Sequence, residues 1–195
     1  MAKWNLTPKP VAFSQVTLVQ LMEITDTNVA GLVHGGTIMK LVDTAAGLAA
    51  IRHCGGLAVT VAMDEMSFLA PVRIGDTVTV KASVNDAGNT SIEVGVRVES
   101  ENIVTGRRAH TSSAYVVLVA LDEKGRPRPV PPIIAETPTQ RRRQREAKMR
   151  RETRTAHRKA ILERRDRVSE PEKRPGPDRR PEPPSDDQQP PHLRI

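Results

Sequence analysis

One carboxylate stands in the middle of a long apolar stretch of the 195-residue chain. Asp43 lies in the run TIMKLVDTAAGLAAIRH, whose other residues are mainly apolar. A buried carboxylate without partners is costly, so it either finds hydrogen-bond partners or has a raised pKa. Such groups concentrate at functional sites. Asp43 is therefore a candidate for acid–base or nucleophilic chemistry, and the alternative is a structural carboxylate that bonds a neighbouring group.

A glycine pair precedes this stretch. Gly35 and Gly36 stand where a helix would begin, and the N–H groups at a helix start are donors for a developing negative charge. Asp43 is about two helical turns, or roughly 11–12 Å, beyond the pair. That separation is too long for both to act on one carbonyl within one subunit. Across a two-fold axis, the glycines of one subunit can meet Asp43 of the other. The alternative is an ordinary glycine-rich turn.

The elements that position these residues are one helix and several strands. The Asp43 run has strong helix formers, with apolar residues around nearly its whole circumference, which predicts a buried helix. Gly55 and Gly56 follow where its C-terminus would be capped. The segments TVTVKASV and SIEVGVRVE alternate strictly, which predicts an antiparallel sheet with one covered face. Further strands are predicted from QVTLVQLMEI, LAVTVAMDEMSFL and RAHTSSAYVVLVAL.

The resulting order is a strand, a buried helix and then four strands, an α+β class. One sheet covers one side of a helix, so the other side of this helix needs a different cover. A second copy of the sheet would supply it. The pattern therefore predicts a dimer.

The charge of the chain is unevenly distributed. Residues 1–136 hold 12 Lys and Arg against 13 Asp and Glu, whereas residues 137–195 hold 18 against 10. We therefore expect a folded domain over 1–136. We expect a basic, proline-rich tail over 137–195 that is disordered or forms an isolated helix, because it has almost no apolar stripe.

Other features of the sequence indicate the cellular compartment of the protein. The single cysteine, Cys54, excludes an internal disulfide, and no Cys/His cluster has the spacing of metal ligands. No apolar secretory segment and no apolar run of about 20 residues is visible. These features predict a cytoplasmic protein.

The segment NVAGLVHGGTIMKLVD resembles the hotdog-fold acyl-CoA thioesterases, in the pattern that runs from Asn28 through Gly31 and His34-Gly35-Gly36 to Asp43. The likeness continues through TVAMDEMSFLAPVRIGDTV, the AGNTSIEV turn and the ALDEKGRPRPVP ending. It covers roughly residues 12–132 and ends before the tail. The resemblance implies a hotdog fold, in which one long helix is wrapped by a curved antiparallel sheet that becomes continuous with that of a partner.

The resemblance also implies roles for individual residues. Asp43 matches the catalytic carboxylate, which activates water or attacks the thioester. Gly35 matches the residue whose N–H polarises the thioester carbonyl, and Asn28 matches the residue that orients water or holds the carbonyl. His34 matches a histidine present in some branches, with a hydrogen bond near the thioester as its expected role. Thr60 takes the place of a hydroxyl residue that assists in some relatives.

Coenzyme A is expected to contact a turn and a strand end. Asn89, Thr90 and Ser91 match the loop that contacts the pantetheine and nucleotide. Arg126 and Arg128 are candidate phosphate partners, since a guanidinium binds phosphate bidentately. A solvated hairpin end is the alternative for these arginines.

The main functional hypothesis is hydrolysis of acyl-CoA to a free acid and coenzyme A, without a metal or a dissociable cofactor. The alternatives are an acyl-CoA-binding regulator without turnover and a hotdog hydratase or dehydratase. A third interpretation has the basic tail tether the domain to nucleic acid or an anionic membrane. We expect at least a homodimer, a trimer of dimers by resemblance, and a tail that is dispensable for hydrolysis.

Overall fold

The structure, a computed structural model, describes residues 4–169, and the side chains of 4–164. The elements, in chain order, are β1 (Lys9–Pro10), β2 (Val16–Leu21), α1 (Gly35–Cys54), β3 (Ala58–Phe68), β4 (Asp76–Ala87), β5 (Ser91–Asn102), β6 (Arg108–Ala120), β7 (Ile133–Ile134) and α2 (Pro138–Ser169). Neither helix, over the described residues, has both the length and the apolarity that a bilayer crossing requires. The predicted order of strand, helix and four strands is confirmed.

Five strands form one antiparallel sheet in the order β2-β4-β5-β6-β3, and β1 pairs with β7 separately. The strict alternation of β4 and β5 places one set of side chains under α1. This inner set is almost fully buried and consists of Val78, Val80, Ala82, Val84, Ile92, Val94, Val96 and Val98. Burial of this set against the helix is the main hydrophobic contribution to the fold.

The helix α1 has a capped end and two unlike faces. It ends at Gly55, whose left-handed backbone (φ 68°) and N–H bond to the Ile51 carbonyl confirm the predicted glycine cap. One face is buried on the sheet by Ile38, Val42, Ala45, Ala46, Ala49 and Ala50. The opposite face is exposed in the single chain and carries Met39, Asp43, Leu48 and Ile51. The expectation of burial on all sides is thus met on one side only, because one sheet covers one side.

The strand β3 is an edge of the sheet and lies next to the exposed face of α1. It pairs with β6 on one side only, and its other side presents unpaired backbone groups. Val59 and Val61 are exposed on it, as is Leu57 before it. An open apolar edge of this kind favours pairing with another strand.

The helix α2 departs from the sequence expectation. The predicted tail begins as a helix at Pro138, and the compact unit of the sheet extends to Ala156, beyond the predicted boundary at Glu136. Ala147 is 1% exposed, so α2 packs on the domain and is not isolated there. The prediction of disorder for residues 170–195 concerns a segment outside the described residues.

Ionic contacts hold α2 on the outer face of the sheet. Arg150 donates to Glu93 of β5 at 2.6 Å, and Arg151 and Arg154 pair with two aspartates, Asp86 of β4 and Asp64 of β3. The side chains of Glu93 and Asp86 are only 4% and 2% exposed. The Arg150 guanidinium also stacks on the Tyr115 ring at 3.6 Å. A helix with no apolar stripe is therefore bound by charge, which sequence periodicity does not detect.

Candidate active site

Asp43 forms a hydrogen-bonded pair with Thr60. Its place is the exposed face of α1, and Thr60 lies opposite on β3. The Thr60 hydroxyl donates to Oδ1 of Asp43 at 2.7 Å. The bond orients one carboxylate oxygen and leaves Oδ2 without a bonded neighbour among the described side chains. Because both residues are exposed in the single chain, the pair does not serve the core of this subunit.

Asn28 lies in the loop before α1 and is held by its own backbone. Its Oδ1 accepts the N–H groups of Ala30 and Leu32, at 2.9 and 3.3 Å. The Asn28 N–H donates to the Leu32 carbonyl at 2.8 Å. These bonds fix the side-chain amide with its oxygen toward the loop, so its NH₂ group remains as a donor.

The start of α1 presents an unused donor at Gly35. The N-cap residue His34 accepts the Gly36 N–H at its Nδ1, at 3.0 Å, as an N-cap side chain does. The Gly35 N–H donates to no acceptor within the described residues. His34 therefore acts in this structure as a cap that sets the direction of the first helical turn.

A groove of about 370 Å³ runs along this helix start. Asn28 and Gly35 line it at one side, and its other lining residues are mainly apolar: Leu32, Val33, Ile38, Phe68, Leu69, Ala70, Pro71 and Val72, with Ser112. The Phe68 ring lies 3.4 Å from where a Cβ on Gly35 would stand. A side chain at Gly35 would therefore contact the Phe68 ring and take up part of the groove. Sequence reasoning missed Phe68 as a lining residue, although it lies in the FLAPVRIGD segment that carries the resemblance.

The structure thus brings the predicted catalytic residues together in two separate sets. Asn28 and Gly35 share the groove, and Asp43 pairs with Thr60 elsewhere on the exposed side. The two sets are separated along α1 by about two helical turns. Neither set alone holds both a carboxylate and the donors for a carbonyl oxygen.

The predicted coenzyme A turn lies at the end of the sheet that holds Thr60. Ser91 begins β5, Ile92 beside it pairs with Leu118, and Leu118 pairs with Thr60. Ser91 is therefore about two strand spacings, roughly 10 Å, from Thr60. The Gly88 N–H closes the turn by donating to the Ser91 carbonyl at 2.8 Å, and the carbonyls of Asn89 and Thr90 accept the N–H groups of Val130 and Ala120 at 3.0 Å. The side chains of Asn89, Thr90 and Ser91 make no hydrogen bond within residues 4–164.

The two arginines predicted for phosphate have different surroundings. Arg126 is exposed and pairs with Asp122 at 2.9 Å, and the backbone N–H and side chain of Arg126 lower the pKa of that carboxyl. Arg128 is only 3% exposed and donates to the carbonyls of Leu121 and Cys54 at 3.1 Å. Its guanidinium therefore caps the end of α1, and a phosphate-binding role for Arg128 stays a prediction.

Comparisons with known proteins identify the family of the chain. The model of the thioesterase superfamily matches residues 30–106. The VdlD protein of Helicobacter pylori is 37% identical over 142 residues, which cover 73% of this chain and 81% of that protein. A cytosolic acyl coenzyme A thioester hydrolase of Mus musculus is 35% identical over 146 residues, which are 74% of this chain but 38% of that protein.

The chain belongs to the thioesterase superfamily. Two solved structures similar to this superfamily member confirm the predicted hotdog fold. An apo-hexameric acyl-CoA thioesterase matches with a TM-score of 0.75 and 34% identity, over 77% of this chain and 97% of the other. An acyl-CoA hydrolase from Staphylococcus aureus, in complex with butyryl coenzyme A, coenzyme A and coenzyme A disulfide, matches with a TM-score of 0.75 and 29% identity. That match covers 82% of this chain and 98% of the other.

Proposed function

We propose that this chain hydrolyses acyl-CoA thioesters to a free carboxylic acid and coenzyme A. The observation that carries the proposal is the presence, along α1, of the Asp43–Thr60 pair and of a Gly35 N–H that donates to no acceptor among the described residues. A carboxylate and a carbonyl-binding donor are the two parts that acyl transfer to water needs. Membership of the thioesterase superfamily supports the same chemistry.

The proposed site combines two subunits. Asn28 and Gly35 of one subunit hold the thioester carbonyl, and Asp43 of the other acts on its carbon, with Thr60 fixing the carboxylate. The open edge of β3 and the exposed apolar face of α1 support a dimer in which the β3 strands pair. The hexameric thioesterase among the similar structures supports a trimer of such dimers.

The reaction has two possible routes with one outcome. In the first, Asp43 takes a proton from water while the water oxygen bonds to the carbonyl carbon. In the second, Asp43 itself attacks and the acyl–enzyme anhydride is then hydrolysed. In both, the negative charge on the carbonyl oxygen is stabilised by the Gly35 N–H, and the C–S bond breaks to release coenzyme A as its thiol. Single turnover in ¹⁸O-labelled water tests the second route, because attack of water on the aspartyl carbon of the anhydride leaves the isotope in Asp43, whereas the first route places it only in the released acid.

The other site residues are proposed to bind the substrate or to position the groups that do. The apolar groove beside Gly35 is proposed to hold the acyl chain, and the turn at Asn89, Thr90 and Ser91 to contact coenzyme A, with Arg126 near the phosphates. His34 is proposed to act through the cap it forms. Solved variants of the Staphylococcus aureus hydrolase replace one aspartate, one asparagine or one threonine with alanine, three residue types that this proposal also uses.

The alternatives are less well supported by the residues present. A regulator without turnover does not need Asn28, Gly35, Asp43 and Thr60 together, and a hydratase needs a different acid–base pair. The proposed chemistry uses side chains and water and no metal or dissociable cofactor. A cytoplasmic location is also proposed, supported by the mouse relative that is named cytosolic. Contact of the basic tail with nucleic acid or an anionic membrane stays a prediction.

The test is an assay of free coenzyme A released from acyl-CoA substrates of increasing chain length. Asp43→Asn keeps an acceptor for Thr60 but removes the charge, and it should lower kcat by a factor on the order of 10² or more. Glu152→Gln removes an exposed carboxylate of α2, which packs on the outer face of the sheet, and serves as the control with near-normal kcat. Normal turnover by a folded, oligomeric Asp43→Asn protein would contradict the assignment of Asp43 as the catalytic carboxylate.

A further inference from the structure

The outer face of the sheet holds a second groove, on the side away from the proposed active site. Its volume is about 400 Å³. Its walls are the outer residues of β2, β4, β5 and β6 and the first turns of α2. A cavity of this size accommodates a small organic molecule. The proposed thioester chemistry uses none of its lining residues.

The charges around the groove do not cancel. Four cationic side chains line it: Lys81, Arg97, Arg142 and Arg143. Lys81 and Arg97 share one carboxylate, Glu99, at 2.6 and 2.8 Å. The hydrogen bond from Lys81, followed by that from Arg97, lowers the Glu99 pKa to about 2, so this carboxylate is fully ionised near neutral pH. Two cations on one carboxylate leave one positive charge on this wall.

The opposite wall adds a second uncompensated charge. Arg142 is neutralised by Glu146 one helical turn away, at 2.7 Å. Arg143 has no carboxylate within ion-pair distance among residues 4–164. It lines this groove and also the smaller cavity beside it, which Thr137, Thr139 and Gln140 line. The groove therefore presents two net positive charges from two different elements, a geometry that suits a dianion.

Uncharged hydrogen-bonding side chains also line the groove. Ser83 and Ser113 place hydroxyl groups in its lining, and Gln15 and Asn85 place amides there. Gly95 forms part of the floor, and a Cβ on it would stand 2.5 Å from the Asn85 amide nitrogen. The lack of a side chain at Gly95 therefore lets the Asn85 amide lie across β5, where it donates to Glu93 at 3.3 Å.

We propose that this groove binds a small phosphate-bearing compound. A phosphate monoester carries nearly two negative charges at neutral pH and several strong acceptor oxygens, which match two net cations and the surrounding hydroxyl and amide donors. The Arg143 guanidinium supplies the bidentate contact, and Arg97 and Lys81 face the ligand from the sheet. Because the ligand contacts both α2 and the sheet, binding also strengthens the attachment of α2. The inference stands independently of thioester hydrolysis.

The test is isothermal titration calorimetry of the full chain with inorganic phosphate and with ribose 5-phosphate, in a buffer of constant ionic strength. Arg143→Ala removes the unpaired charge of the groove. Arg145→Ala removes the same charge two residues away on the same helix, from a side chain that is exposed and outside both cavities. Alanine suits a helix, so neither change should disturb α2.

We expect saturable binding of one ligand per chain, weakened about tenfold or more by Arg143→Ala and less than about twofold by Arg145→Ala. Tighter binding of ribose 5-phosphate than of phosphate would identify an organic phosphate as the ligand, and equal binding would identify free phosphate. No saturable binding would overturn the proposal. Equal weakening by the two variants, or equal competition by chloride, would also overturn it, because both would indicate general attraction to a basic helix.

Discussion

The two faces of the sheet are covered by two helices in two different ways. On the inner face α1 contacts a layer of valine, alanine and isoleucine side chains that exclude water. On the outer face α2 is bound through arginines to carboxylates that come from three different strands. The inner contact tolerates any apolar residue of the right volume. The outer contact depends on particular charge partners, because a buried carboxylate without its arginine is costly.

The largest loss of stability is expected when α2 is removed as a whole. A chain that ends after Glu136 exposes the outer face and loses the partners of Glu93 and Asp86, and we expect a loss of about 3 kcal/mol or more in the free energy of unfolding. A chain that ends after Ala156 keeps the compact unit and should unfold as the full chain does. Urea unfolding of the three proteins measures this. Equal stability of the two truncated chains would show that α2 contributes nothing.

A single arginine should account for much of that loss. Arg151→Ala leaves Asp86 buried, and among residues 4–164 the Gln144 amide is then its one side-chain donor, at 3.2 Å. We expect a loss of about 2–3 kcal/mol, near the low end for a broken buried pair because Arg151 is one-third exposed. Arg145→Ala, on the exposed side of α2, should change stability by less than about 0.5 kcal/mol. If the two variants lose the same amount, the loss reflects the removal of any arginine from α2 and not the Arg151–Asp86 ion pair.

The smallest effect is expected at His53, a buried ionisable group near the end of α1. His53 is fully buried, and burial lowers its pKa below the ordinary value of 6.5, although the Pro131 carbonyl 2.8 Å away from Nε2 opposes the shift. The folded protein then binds this proton less readily than the unfolded chain, so stability is complete above pH 6.5 and declines as the pH falls below it. Unfolding between about pH 7.5 and pH 5 should show this decline, and His53→Gln should reduce its slope. An unchanged slope in the variant would assign the decline to other groups.

Sequence reasoning predicted the inner layer well because its physics is periodic. Alternation in β4 and β5 identified the covered residues, and Gly55 marked the helix end. The outer layer was missed because α2 buries little more than Ala147. Its partners Asp64, Asp86 and Glu93 look like ordinary outward-facing residues of separate strands. Complementary charge between segments that are distant in sequence leaves no local pattern.

The candidate site also divides into residues that the sequence alone identifies and residues whose role depends on the fold. The carboxylate at Asp43 and the donors at Gly35 could be selected from residue type and position alone. Thr60, by contrast, came from the resemblance, and its bond to Asp43 depends on how β3 returns past α1. The groove beside Phe68 depends on side-chain packing between a loop, a helix and a strand end. The sequence alone also leaves the role of Arg128 open, because a guanidinium that caps a helix and one that binds phosphate look alike in a sequence.

The measurement that tests the account most directly is subunit complementation. Asn28→Ala and Asp43→Ala proteins, each inactive, are mixed in equal amounts, and their exchange is verified by labelled subunits. If the site combines Asn28 of one subunit with Asp43 of the other, half of the reassorted dimers are mixed and each has one intact site. A shared site predicts recovery of about a quarter of wild-type release of coenzyme A. No recovery after verified exchange would contradict a shared site.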